Sequence, residues 1–208
     1  MKKILLFLSL ILLFSFTESP KQDIQKGFKF QEGDIILQTS ESEQCEAVRI
    51  ATDSKFSHCG IVFYKDNKLY VLEAVQPVKM TPIKSWIQHG KDGKYLVRRL
   101  KDNSVIKQES IKNKMIAYGQ KQLNKDYDLY FEWSNNKMYC SELVWKIYKE
   151  VGIEISSLRK LKSFKLDNPK VKTILEQRYG NKIPYNENVI APSQLAESDK
   201  LITVFDNY

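Results

Sequence analysis

Apolar and polar residues follow two different periods along the chain, and these periods predict where the strands and helices lie. The clearest signal is a pair of apolar, aromatic and β-branched runs at residues 60–64 and 69–75, separated by the polar turn 65–68. This arrangement, with Asp66 and Asn67 at the centre of the turn, predicts a β-hairpin. Further strands are predicted at residues 35–38, 78–83, 95–100 and 201–205.

Apolar residues at helical spacing predict the remaining elements. The first helix covers residues 42–52, with Ser42 as its N-cap and an inward face of Ala47, Val48 and Ile50. Another helix starts at Cys140, and its inward stripe is Cys140, Leu143, Val144, Ile147, Tyr148 and Val151. Helices are also predicted at residues 84–89, 109–122, 168–178 and 192–197. This order of elements predicts an α+β fold, a mostly antiparallel sheet packed by helices.

The start of the chain has the layout of a secretory signal. Two lysines precede an unbroken apolar run at residues 4–16, which is too short for an ordinary transmembrane helix. We therefore predict a signal peptide at residues 1–17, a polar tether at 18–30 and a single domain at 31–208. The expected location is the periplasm, the cell envelope or the medium. The alternative is an uncleaved signal that anchors the chain in the membrane.

The positive charge of the chain does not indicate nucleic-acid binding. The 208-residue sequence has a net charge of +8, and removal of residues 1–17, with two lysines and no acidic residue, leaves +6. The remaining lysines are interleaved with acidic residues rather than gathered in one block, a pattern typical of solvated surfaces. We expect no nucleic-acid partner, and we expect the protein to act as a monomer.

The candidate chemistry rests on Cys140 and His58. Cys140 stands at the start of a predicted helix, where partial positive charge and free N–H groups favour a thiolate over a thiol. His58 stands at the head of the first hairpin strand. A histidine supplied from another element would complete a Cys/His nucleophilic pair. The pairing predicts a thiol hydrolase or an acyltransferase.

The hairpin adds Glu73 to this pair through its register. If the loop holds two or four residues centred on Asp66 and Asn67, paired positions sum to 133 and Gly60 faces Glu73. His58 and Glu73 then lie on one sheet face as diagonal neighbours, about 7–8 Å apart. A carboxylate there can orient the imidazole and stabilise its cationic form. A three-residue loop would shift the register by one and break this arrangement.

The other cysteines leave two alternatives open. Cys45 and Cys59 either form a disulfide, which leaves Cys140 reduced, or pack as small buried hydrophobic residues. Cys59 should point to the sheet face opposite His58 and stay outside the site. Two histidines, His58 and His89, and three scattered cysteines give no ligand pair at zinc spacing, so we expect neither a metal nor a cofactor.

Five sequence blocks carry a resemblance to a known family. They are Gly33-Asp34-Ile35-Ile36, Ser57-His58-x-Gly60-Ile61-Val62, Leu72-Glu73-Ala74, Tyr127-Asp128-x-x-Phe131-x-Trp133 and Tyr139-Cys140-Ser141-Glu142-Leu143-Val144. Together, over about residues 31–205, they resemble the YiiX/YaeF-type permuted papain-like enzymes, relatives of the NlpC/P60 cell-wall peptidases and of the lecithin:retinol acyltransferase group. The histidine precedes the cysteine here, as circular permutation of the papain site would give.

The resemblance implies a circularly permuted papain-like fold with Cys140 as the nucleophile, His58 as the base and Glu73 as the third member. Cys59 departs from the aliphatic residue expected after the histidine. The implied function is an exported cysteine amidase or peptidase that forms a thioester acyl-enzyme, and residues 31–208 would be its catalytic domain. The expected substrate is a peptidoglycan-type peptide or an amino-acid amide.

Two rival functions remain at this stage. The first is a lipid acyl hydrolase or acyltransferase that uses the same Cys/His site; an apolar channel would favour it, whereas polar anchors would favour a peptide. The polar candidates near the nucleophile are Tyr127, Asp128 and Tyr139. The second rival is a non-catalytic binding module of the cell envelope, and the intact set of Cys140, His58 and Glu73 argues against it.

Overall fold

A six-stranded antiparallel sheet forms the centre of the computed structural model, which describes residues 28–208. The strands in chain order are β1 Ile35–Gln38, β2 His58–Lys65, β3 Lys68–Glu73, β4 Lys79–Pro82, β5 Leu96–Leu100, β6 Arg159–Lys160, β7 Asn188–Val189 and β8 Leu201–Asp206. The large sheet has the order β4-β3-β2-β1-β5-β8, and β6 pairs with β7 in a small second sheet. This sheet and the helices around it confirm the predicted α+β class.

The helices pack on both faces of the large sheet. They are α1 Glu43–Thr52, α2 Ile83–His89, α3 Ser104–Lys107, α4 Glu109–Gln122, α5 Cys140–Glu150, α6 Pro169–Tyr179 and α7 Pro192–Glu197. The hydroxyl of Ser42 caps α1 by accepting from the Cys45 N–H at 3.1 Å, as predicted. Among the described residues, α3, β6 and β7 are the elements that the sequence patterns did not predict, because two to four residues are too few to show a period.

Strand β2 separates two apolar clusters, since successive side chains of a strand point to opposite faces. Ile61 and Phe63 belong to the larger cluster, which contains the inward stripe of α5. Val62 belongs to the smaller cluster on the other face, which is built around Trp86 of α2. Helix α5 therefore lies against one face of β2 and α2 against the other, and both reach the site described below.

The β2–β3 hairpin has the register predicted from the sequence. Ile61 pairs with Leu72 and Lys65 with Lys68, so that paired positions sum to 133. The two-residue turn consists of Asp66 and Asn67, with φ angles of 51° and 57°. Positive φ at both central residues is the requirement of a type I′ turn, which short side chains that bond locally tolerate best.

The described chain begins with two aromatic residues of the predicted tether. Phe28 and Phe30 pack in the smaller apolar cluster, and Phe30 stacks on Tyr95 with ring centroids 6.2 Å apart. The predicted signal peptide and the rest of the tether lie outside the described residues. Within residues 28–208, no helix is long and apolar enough to cross a membrane.

Candidate active site

Cys140 is the first residue of α5 and is held there by the backbone around it. Tyr139 precedes it in an extended conformation, and the Glu142 carboxylate accepts a hydrogen bond from the Tyr139 N–H at 3.2 Å. The Leu143 N–H donates to the Tyr139 carbonyl and closes the first turn. The earliest N–H groups of the helix lack partners within it, so they surround the Cys140 sulfur with partial positive charge.

His58, the first residue of β2, is held by Glu73 and Trp86. Its Nε2 lies 2.6 Å from Oε2 of Glu73, the last residue of β3. Thr81 of β4 donates its hydroxyl to the other carboxylate oxygen of Glu73 at 2.5 Å. The Trp86 ring stacks against the imidazole, with centroids 5.9 Å apart. The diagonal placement of His58 and Glu73 predicted from the hairpin is therefore present.

Gly60 leaves the space that this His58–Glu73 contact needs. It is the residue opposite Glu73 in the hairpin register, and a Cβ added there would lie 2.3 Å from Val71 Cγ1 and 3.4 Å from Glu73 Cβ. Without a side chain at this position, the Glu73 carboxylate can lean across β2 to the imidazole. Gly60 is therefore needed for the space that it leaves beside Val71 and Glu73.

The sulfur of Cys140 completes the set, since glutamate occupies Nε2 of His58 and leaves Nδ1 for the thiol. Cys140 is 4% exposed, His58 9% and Glu73 3%, so these charges interact with little screening by solvent. Contact with Cys59, opposed by burial and reinforced by His58, lowers the pKa of Cys140 well below its ordinary 9.0. The sequence-predicted Cys140, His58 and Glu73 thus lie together in one buried site.

The electrostatics of the histidine and the glutamate follow from the same contacts. Burial alone would lower the pKa of His58, but the interactions with Cys140 and Glu73 outweigh it and raise that pKa to about 10. Burial opposes ionisation of Glu73 too, but the bond to His58 outweighs it and lowers the pKa of this carboxyl. All three shifts favour the charged form of the site, in which a thiolate, an imidazolium and a carboxylate are neighbours.

Cys59 lies inside the site, contrary to the sequence-based expectation. Its side chain and that of Gly60 are on opposite faces of the sheet, as expected, but the face of Cys59 is the one on which α5 packs, so Cys59 and Cys140 belong to the same buried cluster. The thiol and the backbone N–H of Cys59 both lower the pKa of the Cys140 thiol. His58 reaches the same sulfur because it stands at the very end of β2. Among the two alternatives for Cys45 and Cys59, the structure has both as free thiols.

The three polar candidates from the sequence occupy different places. Tyr127 lies at the site, and its hydroxyl accepts a hydrogen bond from Gln44 Nε2 at 3.0 Å. Tyr139 lines the site with its ring, while its hydroxyl accepts from the Ile190 N–H at 3.1 Å. Asp128 is buried, accepts from the Tyr130 N–H at 2.9 Å and does not line the cavities around Cys140. The structure thus brings Tyr127 and Tyr139 to the site and leaves Asp128 apart.

Two cavities with different linings adjoin the site, the first containing Cys140 and the second containing His58 and Glu73. One, of about 100 Å³, is almost entirely apolar and runs between α1 and α6; its walls include Val48, Ala51, Phe131, Val171, Ile174 and Leu175. The other, of about 540 Å³, lies on the imidazole side; its walls include Gln38, Ser40, His58, Gln76, Lys79 and His89. Tyr127 and Gln44 line both cavities. The nucleophile therefore lies in the apolar cavity, and the imidazole lies in the neighbouring cleft with the polar side chains.

Sequence reasoning did not identify Thr81, Trp86 and Gln44 as site residues. A signal for Thr81 existed, because the predicted strand at residues 78–83 pairs with β3 and brings Thr81 diagonally beside Glu73, whose direct partner is Lys79. Trp86 and Gln44 reach the site through helix docking, for which the sequence gave no signal. In residues 28–208, no three histidine, cysteine, aspartate or glutamate side chains are grouped closely enough to hold a metal ion.

Comparison with known families agrees with this geometry. The family model described as "Permuted papain-like amidase enzyme, YaeF/YiiX, C92 family" matches residues 29–205. The chain belongs to this family. The resemblance drawn from the sequence blocks around His58 and Cys140 is thereby confirmed.

Two relatives of this YaeF/YiiX family member come from Escherichia coli. The uncharacterized protein YiiX of strain K12 is 42% identical over 175 residues, which span 84% of this chain and 85% of that protein. The crystal structure of YiiX from strain O157:H7, described as a metalloprotein, has a TM-score of 0.82 at 41% identity and covers 87% of this chain and 99% of its own. The predicted permuted papain-like fold is confirmed by this match.

We expect the thiol of this YaeF/YiiX family member to react as a thiolate over an unusually wide pH range. The lowered pKa of Cys140 predicts iodoacetamide labelling with a midpoint well below the ~8.5 of a free cysteine. The imidazolium that stabilises the thiolate is lost only as the pH rises through the His58 pKa of about 10. Its contribution to fold stability is full below pH 6.5 and disappears over the same rise.

The measurement is the labelling rate of the tryptic peptide 138–146, which contains Cys140 and neither of the other cysteines. His58→Ala removes one cause of the lowered pKa and should move the midpoint upward, while the labelling of Cys45 serves as an internal control. A midpoint near that of a free thiol in the folded protein would contradict the thiolate–imidazolium pair.

Proposed function

We propose that the protein is a cysteine amidase that cleaves the bond between an apolar acyl group and the amine of an amino acid or short peptide. The observation that carries this proposal is that Cys140 lines an apolar cavity, which adjoins at Gln44 and Tyr127 the cleft that holds His58 and Lys79. We also propose that it acts outside the cytoplasm, on the basis of the signal peptide predicted at residues 1–17.

Acylation begins with attack of the Cys140 thiolate on the amide carbonyl carbon. The negative charge that develops on the carbonyl oxygen would be stabilised by backbone N–H groups at the start of α5. The His58 imidazolium then donates its Nδ1 proton to the amine nitrogen as the C–N bond breaks. The products of this half-reaction are a free amine and a thioester on Cys140.

Deacylation uses the same residues in the reverse order. The His58 imidazole, neutral after it has lost its proton, accepts one from a water molecule that attacks the thioester carbonyl. The carboxylate leaves, and the thiolate–imidazolium pair is restored. Glu73 keeps its charge throughout: it fixes the ring orientation through Nε2 and stabilises the cationic form of the imidazole.

The assignment of the acyl group to the apolar cavity follows from the cavity lining. Helices α1 and α6 contribute aliphatic side chains to it, and Val171 and Leu175 are buried there with Ala47. Each methylene group transferred from water into such surroundings contributes about 0.8 kcal/mol, roughly a fourfold gain in binding. In the sequence analysis an apolar channel favours a lipid acyl substrate and polar anchors favour a peptide; a substrate with an apolar acyl group on an amino acid or short peptide meets both criteria.

The assignment of the amine to the polar cleft rests on its hydrogen-bonding groups and its positive charge. Gln76 bridges the main chain of Tyr127 and the carboxylate of Asp126, which fixes one wall. Lys79 lies in the same cleft and can pair with a free carboxylate on the leaving amino acid. The scissile bond in this proposal is therefore an amide, with its acyl group bound in the apolar cavity and its amine part bound in the cleft.

A chain-length series tests the substrate class. N-acyl amino acids with acyl groups of increasing length are incubated with the enzyme beside acyl-free muropeptides and phospholipid micelles, and products are identified by mass spectrometry. The expected result is a rise in kcat/KM of roughly fourfold per methylene until the cavity is full. Preferred cleavage of muropeptides would overturn the acyl assignment, and preferred release of fatty acid from phospholipid would replace the amidase with an ester hydrolase.

A bulky residue in the cavity tests the same assignment from the protein side. Val48→Trp is expected to lower kcat/KM for the longest acyl group by at least about tenfold and to leave the shortest nearly unchanged, because it fills space that only long chains need. Glu43→Trp is the matched control, since Glu43 is exposed on the same helix and does not line the cavity. An equal loss for short and long chains would contradict the placement of the acyl group.

A further inference from the structure

Two of the three cysteines of the chain are in contact at the candidate site. Cys59 is the second residue of β2 and Cys140 the first of α5, and both belong to the same buried cluster. Helix α5 packs on the face of β2 to which Cys59 points, and both the thiol and the backbone N–H of Cys59 lower the pKa of the Cys140 thiol. The two cysteines are free thiols. A small movement of the two side chains could therefore join their sulfur atoms in a disulfide bond.

Access to the pair is one-sided. Cys140 lines the apolar cavity, so a small molecule that enters the cavity reaches its sulfur. Cys59 has no exposed surface and lines neither of the two cavities. Cys45 lies on α1 and is not a hydrogen-bond partner of the Cys140 sulfur. An oxidant from solvent therefore meets Cys140 first, with Cys59 as the nearest thiol.

We propose that Cys59 and Cys140 form a reversible intramolecular disulfide after a hydroperoxide oxidises Cys140, so that Cys59 acts as the resolving cysteine of a redox-controlled site. The disulfide would remove the nucleophile and switch off hydrolysis without permanent damage. This role goes beyond the proposed amidase activity, and it depends only on the thiol chemistry of the pair, not on the identity of the substrate.

The reaction consumes one hydroperoxide in two steps. In the first, the Cys140 thiolate attacks a peroxide oxygen, the S–O bond forms, and the O–O bond breaks. The departing oxygen takes a proton from His58 and leaves as water, or as an alcohol from an organic hydroperoxide. In the second, the Cys59 sulfur attacks the Cys140 sulfenic acid, the S–S bond forms and the S–O bond breaks. The Cys59 proton leaves with the hydroxyl group as water.

The ionisation of the two thiols supports this order of events. Burial, together with the neighbouring Cys140, raises the pKa of Cys59 well above its ordinary 9.0, whereas that of Cys140 is lowered. Because the thiolate is the form that reacts with peroxides, Cys140 is oxidised and Cys59 stays reduced until the sulfenic acid is beside it. A buried resolving thiol also limits further oxidation of Cys140 to the irreversible sulfinic acid.

The test uses the reduced full-length protein, treated with hydrogen peroxide, blocked with N-ethylmaleimide and digested with trypsin. The cysteines then fall in separate peptides: 30–49 for Cys45, 56–65 for Cys59 and 138–146 for Cys140. The expected product is a cross-link between peptides 56–65 and 138–146 that dithiothreitol cleaves. Cys45→Ser is the matched control and should give the same cross-link.

A second readout follows the recovery of Cys140 towards iodoacetamide. In the wild type, labelling of Cys140 falls with peroxide by about tenfold and returns after dithiothreitol; in Cys59→Ala it falls and does not return, because the sulfenic acid goes on to sulfinic acid. A cross-link to Cys45, sulfinic acid in the wild type without a cross-link, or equal recovery in Cys59→Ala would overturn the proposal. If Cys59→Ala does not fold, the wild-type cross-link decides the question alone. These readouts need no substrate, so their failure is distinct from failure of the amidase assignment.

Discussion

Replacement of Cys140 by alanine is expected to lower kcat/KM by about 10⁴-fold or more, because loss of a nucleophile leaves only binding and oxyanion stabilisation. The site gives a physical reason for a loss of this size, because the thiol of Cys140 has a lowered pKa and lines the apolar cavity. Rates are compared on the N-acyl amino acid that the wild type cleaves best, in protein whose Tm is measured alongside.

Cys140→Ser is the isosteric companion to this experiment. It keeps a nucleophile of similar shape, but its hydroxyl does not ionise beside an imidazolium as a thiol does, so it should be nearly as inactive as Cys140→Ala. Unchanged substrate binding with lost turnover would identify the defect as chemical. Activity in Cys140→Ala within about tenfold of the wild type would remove Cys140 from the mechanism.

Glu73→Gln is expected to reduce kcat by between about 10- and 10⁴-fold while the fold persists. The amide occupies the same space, but it cannot carry the negative charge that His58 and Thr81 now contact at 2.6 Å and 2.5 Å. The basic limb of the pH–activity profile should also move below about 10, because Glu73 is one cause of the raised pKa of His58. A merely structural glutamate would not produce that shift.

Glu150→Gln is the matched control for this variant, since Glu150 is an exposed glutamate at the end of α5. It should leave both kcat and the pH profile unchanged. If Glu73→Gln behaved in the same way, the catalytic unit would consist of Cys140 and His58 alone.

The part of the site that the sequence predicted is the part that depends on local register. Once Asp66 and Asn67 define a two-residue turn, every pair along the hairpin is determined, including the diagonal approach of Glu73 to His58. The start of a helix at Cys140 is likewise a local property of the chain. Strand and helix periods were therefore sufficient to place Glu73 beside His58 and Cys140 at the start of a helix, whereas the meeting of Cys140 with His58 was implied by the family resemblance.

The part that the sequence did not predict depends on how distant elements dock. Cys59 was expected outside the site. Strand alternation shows that Cys59 and Gly60 point to opposite faces of the sheet, but it does not show which face α5 covers. The apolar cavity joins α1 to α6, elements more than a hundred residues apart whose packing no local pattern records. Local periods determine which residues share a face, whereas tertiary packing determines what that face meets.

The length of the turn between β2 and β3 determines the geometry of the site, although such turns usually tolerate changes in length. Exposed tips of hairpins are ordinary sites of insertion and deletion among related proteins. Here a single added residue would carry Glu73 to the other face of the sheet, even if the hairpin still formed and the core still packed. Loop length at Asp66 and Asn67 is thus under the same constraint as the reacting groups themselves, although neither residue lines the cavities at Cys140.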